Sequence, residues 1–325
     1  MPYGEDPDRS YNLSLFQLEA MFASHEVAAP KGAGEYRVLV VGDSSVWGTL
    51  LGPGQTLAAY INAGKHVTRD GRAVRAYNLG YPIMSLAKDL LLLKTAMRYQ
   101  PDMIVWMVTL ESFPYDKQLF PPLVQHNTVP VRELINTYRL KLNPADPSFV
   151  DETFWGRTIV GQRRALADLL RLQLYGVMWA ATGIDQDIPA TYTPRAEDLE
   201  ADLSFHNLQP PHLTRDDLAF DIVAAGQAVA GGVPVLVINE PTFVTHGRNS
   251  DLRYNFFYPR WAYDDYRQLL AAEAKSHGWH YLDLWDAAGN DKFTDSPIHL
   301  TAEGNARLAT KLAAPILAAA NGQTP

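Results

Sequence analysis

Runs of apolar and β-branched residues stand at five places along the chain: "YRVLVVG" (36–42), "RAVRAYNLG" (72–80), "DMIVWMVTL" (102–110), "VPVLVINE" (233–240) and "WHYLDLW" (279–285). Each is short and largely continuous, the pattern of a strand buried on both faces. Between and after them, apolar positions recur at helical spacing in "QTLAAYINAG" (55–64), "SLAKDLLLLKTAMRYQ" (85–100), "DDLAFDIVAAGQAVAGG" (216–232), "YDDYRQLLAAEAKSHG" (263–278) and "TAEGNARLATKLAAPILAAA" (301–320). Most of these stop near a glycine or before a proline, as helices do. Strand and helix in alternation predict an α/β fold: a three-layer α/β/α sandwich around a five-stranded, mainly parallel sheet. Reactive groups in such sheets gather at the carboxyl ends of the strands.

The alternation breaks between the third and fourth strands. Residues 113–214 are dense in Pro, Tyr, Phe and Trp and hold one further helical pattern, "RRALADLLRLQLYGVMWAATG" (163–183), with apolar positions on more than one face. So long a stretch is an insert rather than a loop. Two readings stand: a lid or binding platform, and a helical decoration on the sheet edge. The domain is expected to run over 36–320, behind an N-terminal arm at 1–35, since 325 residues suit one decorated domain.

Composition narrows the function. The net charge is −8 and no basic block occurs, which argues against nucleic-acid binding, because neutralising phosphates needs a basic surface. With no cysteine, disulfides, thiolate metal sites and a cysteine nucleophile are excluded. No cluster of His and Asp suggests a metal, and no phosphate-loop or dinucleotide signature suggests a cofactor. The longest uncharged apolar run, Leu172 to Ile184, falls short of the roughly 20 residues that span a bilayer. The start "MPYGEDPDRSYNLSLF" lacks the basic and apolar regions of a signal peptide, so membrane anchoring would need a segment absent from this sequence.

The first strand stops at "GDSS", which puts Ser44 where strand turns into helix. A serine there can be a plain turn residue, or a nucleophile with helix-start N–H groups around it. As a nucleophile it needs a base, normally a histidine held by a carboxylate. His25, His66, His126, His206 and His212 lie in polar or irregular segments without a telling acidic partner and read as surface residues. His246 reads as a loop residue and His280 as a packed strand residue. His299 differs: in "FTDSPIHLTAEGNARLA" it follows Asp295 by four residues, on a proline-containing loop before the last helix, with Thr301 as the cap of that helix.

Taken together, "VLVVGDSSVWG", "YNLGYPIMS" and "FTDSPIHLTAEGNARLA" resemble blocks one, two and five of the GDSL, or SGNH, hydrolases, in that family's order over residues 36 to 319. The resemblance implies a flavodoxin-like sheet and a serine esterase. In that role Ser44 would be the nucleophile, His299 the base and then acid, and Asp295 the group that orients His299. It further implies an oxyanion hole made by the N–H of Ser44 and the N–H of Ile83. The implied substrate is a small ester or glycan ester, with an acetyl ester of a carbohydrate or lipid as one form, and the location leans toward the outside of a bacterial cytoplasm. No cofactor is implied. An O-acyltransferase acting on a cell-envelope polymer and a non-catalytic carbohydrate-binding protein of the same fold are the alternatives.

Three departures from the family's pattern matter. Ile83 replaces a glycine and is not expected to enter the left-handed backbone region. The third block, normally GxND, reads "VTLESF", so Glu111 stands where an asparagine would donate to the oxyanion. An ionised glutamate only accepts hydrogen bonds and would repel that charge. Three arrangements would compensate: Glu111 protonated or turned away, Asn239 donating instead, or Arg253 neutralising Glu111. The spacing of Asp295 and His299 is also one residue longer than usual, which leaves Asp283 and Asp286 as reserve acids. Finally, "YNFFYPRWAYDDY" (254–266) reads equally as a sugar-stacking or acyl-chain wall and as an aromatic core cluster.

Overall fold

A computed structural model of the chain describes residues 16–182, 186 and 188–323. The polar start is thus outside the described residues up to residue 15. Five strands form one sheet: β1 (Glu35–Val41), β2 (Ala73–Asn78), β3 (Met103–Val108), β4 (Val235–Asn239) and β5 (His280–Asp283). Their order is β2-β1-β3-β4-β5, and every neighbouring pair is parallel. The helices are α1 (Leu18–Ala23), α2 (Ser44–Trp47), α3 (Leu57–Ala63), α4 (Leu86–Ala96), α5 (Pro122–His126), α6 (Thr128–Tyr138), α7 (Arg163–Thr182), α8 (Phe220–Ala230), α9 (Arg260–His277) and α10 (Ala302–Ala320).

Alternation along the strands sorts the core into two layers. Val38 and Val40 of β1, with Val105 and Ile238, pack against Leu57 and Ile61 of α3 and Leu308 and Leu312 of α10. Leu39 and Val41, with Ile104 and Trp106, pack against Leu90 and Leu93 of α4, Phe220 of α8 and Tyr263 and Tyr266 of α9. Helices therefore cover both faces, which is why the strands read as continuous apolar runs. The observed strands end a few residues short of those runs, because Gly42–Asp43, Leu79–Gly80 and Thr109–Leu110 bend away at the carboxyl edge.

Two features go beyond the sequence pattern. Within the arm, Met21, Phe22 and Val27 are fully buried in the larger core layer. The aromatic stretch 254–266 is core: Tyr258, Tyr263 and Tyr266 are fully buried, and Tyr254 nearly so, which removes these four rings from any substrate wall. Only Phe256 of that stretch stands out, at 44% exposure.

The insert is stitched to the domain. Its later half runs past the carboxyl edge of the sheet: Gln186 donates to the carbonyls of Gly48 and Leu51, and Arg195 to those of Phe293 and Asn290. The loops after β1 and before α10 are thereby tied by one segment. Among the described residues no helix is long and apolar enough to cross a membrane.

Candidate active site

Ser44 opens α2 directly behind β1. Asp43 caps this helix by accepting the N–H of Ser45 at 2.8 Å, and Gly48 ends it in the left-handed conformation at φ 98°. Gly42 and Gly80 allow the crowding: a Cβ on Gly42 would lie 2.6 Å from Val46 Cγ2, and one on Gly80 only 2.2 Å from the backbone nitrogen of Trp47. Lys88, fully buried in α4, donates to the carbonyl oxygens of Gly42 and Tyr81, each at 2.8 Å. It thus staples the turn after β1 to the turn after β2. The sequence signal for it is "KD" inside an otherwise apolar helix, "SLAKDLLLLK".

The His299 loop is closed by its own backbone. Phe293 and Leu300 form an isolated antiparallel bridge, Thr294 N–H donates to His299 O at 2.9 Å, and Thr301 caps α10 by accepting the N–H of Gly304. This tight loop accommodates the four-residue spacing. His299 Nδ1 lies 2.8 Å from Asp295 Oδ1, and Nε2 lies 2.8 Å from Ser44 Oγ. Burial alone would raise the Asp295 carboxyl, but the hydrogen bond and charge of His299, with a bond from Thr294, outweigh it and hold it below its ordinary value. An ionised Asp295 must accept, so Nδ1 carries the proton and Nε2 is left to accept from the Ser44 hydroxyl. Asp283 is occupied elsewhere, by Arg267 and Asn239, and Asp286 is exposed.

Neither the N–H of Ser44 nor that of Ile83 has an acceptor among the described residues. Ile83 has φ 78°, against the expectation that a β-branched side chain would avoid this region. The turn that brings "YPIM" from β2 to α4 imposes it. Such strain costs of order 1–3 kcal/mol and persists only where the surroundings over-determine the backbone. Those surroundings include Lys88 on Tyr81 O and Gln118, whose side chain accepts the N–H of Ala87 at 2.9 Å.

Protonation of Glu111, donation by Asn239 and neutralisation by Arg253 are not what the structure shows. Its carboxylate meets Lys117 Nζ at 2.5 Å and His206 Nε2 at 3.3 Å. Burial alone would raise its pKa, but His206 and Lys117 together pull it below the ordinary value, so it is ionised and paired rather than protonated. His206, read from sequence as a surface residue, also bonds Asp116 Oδ2 at 2.9 Å, and its pKa is raised, first by the bond to Glu111. Arg253 instead donates to the carbonyls of Asp202, Asn255 and Phe256. Asn239 is fully buried, donating to Asp283 at 2.9 Å and accepting from Tyr266, so its amide is held in the core beside β5 and α9 rather than free as an oxyanion donor. His25, another assigned surface histidine, is bonded to Asn78 O, and burial pushes its pKa down to about 3.

No protein-family model and no curated protein matches the chain. Among solved structures, the chain aligns with a carbohydrate acetylesterase family member from Sinorhizobium meliloti at 14% identity, covering 88% of this chain and 99% of that one, with a TM-score of 0.37. An aryl esterase of M. smegmatis aligns at 12% identity over 86% and 97% of the two chains, with a TM-score of 0.39. A member of the lipolytic G-D-S-L family from Veillonella parvula aligns at 11% identity over 85% and 95%, also at 0.39.

Proposed function

We propose that this chain is a serine esterase of the GDSL, or SGNH, type, acting through an acyl-enzyme on Ser44. The observation that carries the reading is the continuous hydrogen-bonded line from Ser44 Oγ through His299 to Asp295.

In this mechanism the ester carbonyl lies over Ser44, and Nε2 of His299 takes the hydroxyl proton as Oγ attacks. A positioned base of this kind contributes about 10²–10⁴-fold. The carbonyl oxygen, now negative, sits against the free N–H groups of Ser44 and Ile83. A donor so placed is worth about 3–4 kcal/mol in the transition state. The imidazolium, stabilised by Asp295, then gives its proton to the leaving alcohol. Water enters, loses a proton to His299, and releases the acid. Glu111 does not oppose the oxyanion with a bare charge, because Lys117 and His206 neutralise it.

The substrate class we infer is an acyl ester, acetyl foremost, of a carbohydrate or lipid oxygen. Transfer to a sugar hydroxyl would start from the same acyl-Ser44 and differ only in what accepts the acyl group. The test is turnover of p-nitrophenyl acetate by wild type, Ser44→Ala and His299→Ala, with folding checked by circular dichroism. Loss in both variants with folding intact supports the reading; undiminished turnover in Ser44→Ala overturns it. Product analysis with an added sugar measures how much of the acyl group goes to an alcohol.

A further inference from the structure

The two serines of "GDSS" face different partners. Ser44 meets His299, whereas the hydroxyl of Ser45 is hydrogen-bonded to Oε2 of Glu240, 195 residues further on. Glu240 directly follows β4; its N–H is bonded to Val108 O at 3.0 Å and the residue is 1% exposed. Its second oxygen, Oε1, is buried without a hydrogen-bond partner, and the residue borders a small cavity with Val46, Leu57, Met107 and Asn305.

A buried carboxyl with an orphaned oxygen is costly, and its retention calls for an explanation. The neighbourhood makes ionisation costlier still. Asp43, the cap of α2, and Asp89 both raise the proton affinity of Glu240, while the cation nearby, Lys88, is engaged by Asp89 and by two carbonyls. Burial first, and the charge of Asp43 second, push the Glu240 carboxyl well up. Raised proton affinity is what the charge of the Asp43 cap imposes on a carboxyl held this close to the same helix through Ser45.

That bond matters because α2 is four residues long and has no stability of its own. Its orientation is imposed from outside: by the Asp43 cap, by Gln186 on Gly48 O at 2.8 Å, by Asn78 on Trp47 O at 3.2 Å, and by the backbone of Gly80 against Trp47. The Ser45–Glu240 bond ties it to β4.

We propose that Glu240 is a positioning residue, which through Ser45 fixes α2 so that the Ser44 hydroxyl meets Nε2 of His299. Its kinetic consequence rests on the esterase reading; its structural consequence does not. A reacting atom misplaced by about 1 Å costs on the order of 10²-fold. Glu240→Ala and Ser45→Ala are therefore expected to lower kcat on p-nitrophenyl acetate by about 10²-fold with KM within about twofold, and to slow fluorophosphonate labelling alike. Glu240→Gln, neutral and of the same shape, is expected to keep kcat within about threefold of wild type. Crystal structures of the two alanine variants should show Ser44 Oγ beyond hydrogen-bond reach of His299, past about 3.2 Å.

Unchanged kcat per folded molecule in Glu240→Ala and Ser45→Ala would overturn the proposal, as would a Ser44–His299 contact intact in both structures. So would a loss in Glu240→Gln equal to that in Glu240→Ala, since it would require the acid rather than a neutral anchor. Should Glu240→Ala not fold, Ser45→Ala decides alone, as it cuts the same bond from the helix side. A wild type without ester turnover would remove the esterase reading, while the Ser44–His299 distance in Ser45→Ala would still decide this one.

Discussion

The ammonium of Lys117 lies 2.5 Å from the carboxylate of Glu111, six residues before it. The contact explains how a glutamate can occupy the place where the family resemblance calls for an asparagine. On the proposed esterase reading an unpaired carboxylate there would oppose the oxyanion; paired with Lys117 and His206, its field is largely cancelled.

Lys117→Met should lower kcat about tenfold, equivalent to about 1.4 kcal/mol of lost transition-state stabilisation. Adding Glu111→Gln should recover most of that loss, because the charge that needed neutralising is gone. The double-mutant cycle measures this coupling; additive losses would assign Lys117 a role independent of Glu111.

The same cluster sets a pH window for stability. The raised pKa of His206 means that its contribution is fully present below the ordinary imidazole value of 6.5 and is lost as pH rises through the raised one. The lowered pKa of Glu111 means that its contribution is present above the ordinary value of 4.5 and is lost as pH falls through the lowered one. Wild type should thus exceed His206→Gln in Tm most clearly between pH 4.5 and 6.5, with the gap shrinking in alkali. Melting curves over pH 4 to 9 check this, and a pH-independent gap would contradict it.

Ile83→Gly should be nearly neutral. Removing a half-buried aliphatic side chain ordinarily costs about 2–4 kcal/mol, but here release from φ 78° returns about 1–3 kcal/mol. Urea denaturation should give a change within about 1 kcal/mol of the difference of those terms, and kcat should hold, since the backbone N–H remains. A loss above about 4 kcal/mol would show that no strain was stored.

Gly80→Ala should displace α2, because its Cβ meets rigid backbone rather than a side-chain tip, 2.2 Å from Trp47 N and 2.6 Å from Val46 C. We expect kcat to fall by about 10-fold to 10²-fold together with a lower Tm. Unchanged kinetics in that variant would mean that the contact between these two turns does not set the position of Ser44.

What the sequence discloses is what local pattern governs. Continuous apolar runs foretell a sheet buried on both faces, and "GDSS" at the end of one run and "DSPIH" before a capped helix carry their placement with them. Long-range pairing hides the rest. Nothing near Glu111 announces that His206, 95 residues later, would close on it, because that contact depends on how the insert folds back. Asn239 sits at a strand end as foreseen, yet Asp283 and two tyrosines of α9 claim its side chain. Ile83 entered a region that its own chemistry disfavours because the turn between β2 and α4 outweighs a single residue's preference. Glu240 reads as an ordinary polar residue at the end of a strand, and only the burial of its carboxyl against Ser45 singles it out.

Mass-spectrometric mapping of a fluorophosphonate adduct tests the central claim most directly. The account predicts one covalent adduct, on the peptide containing Ser44, formed by wild type, abolished in Ser44→Ala, and slowed by about 10²-fold or more in Asp295→Asn. An adduct elsewhere, or none from folded wild type that still turns over esters, would contradict it.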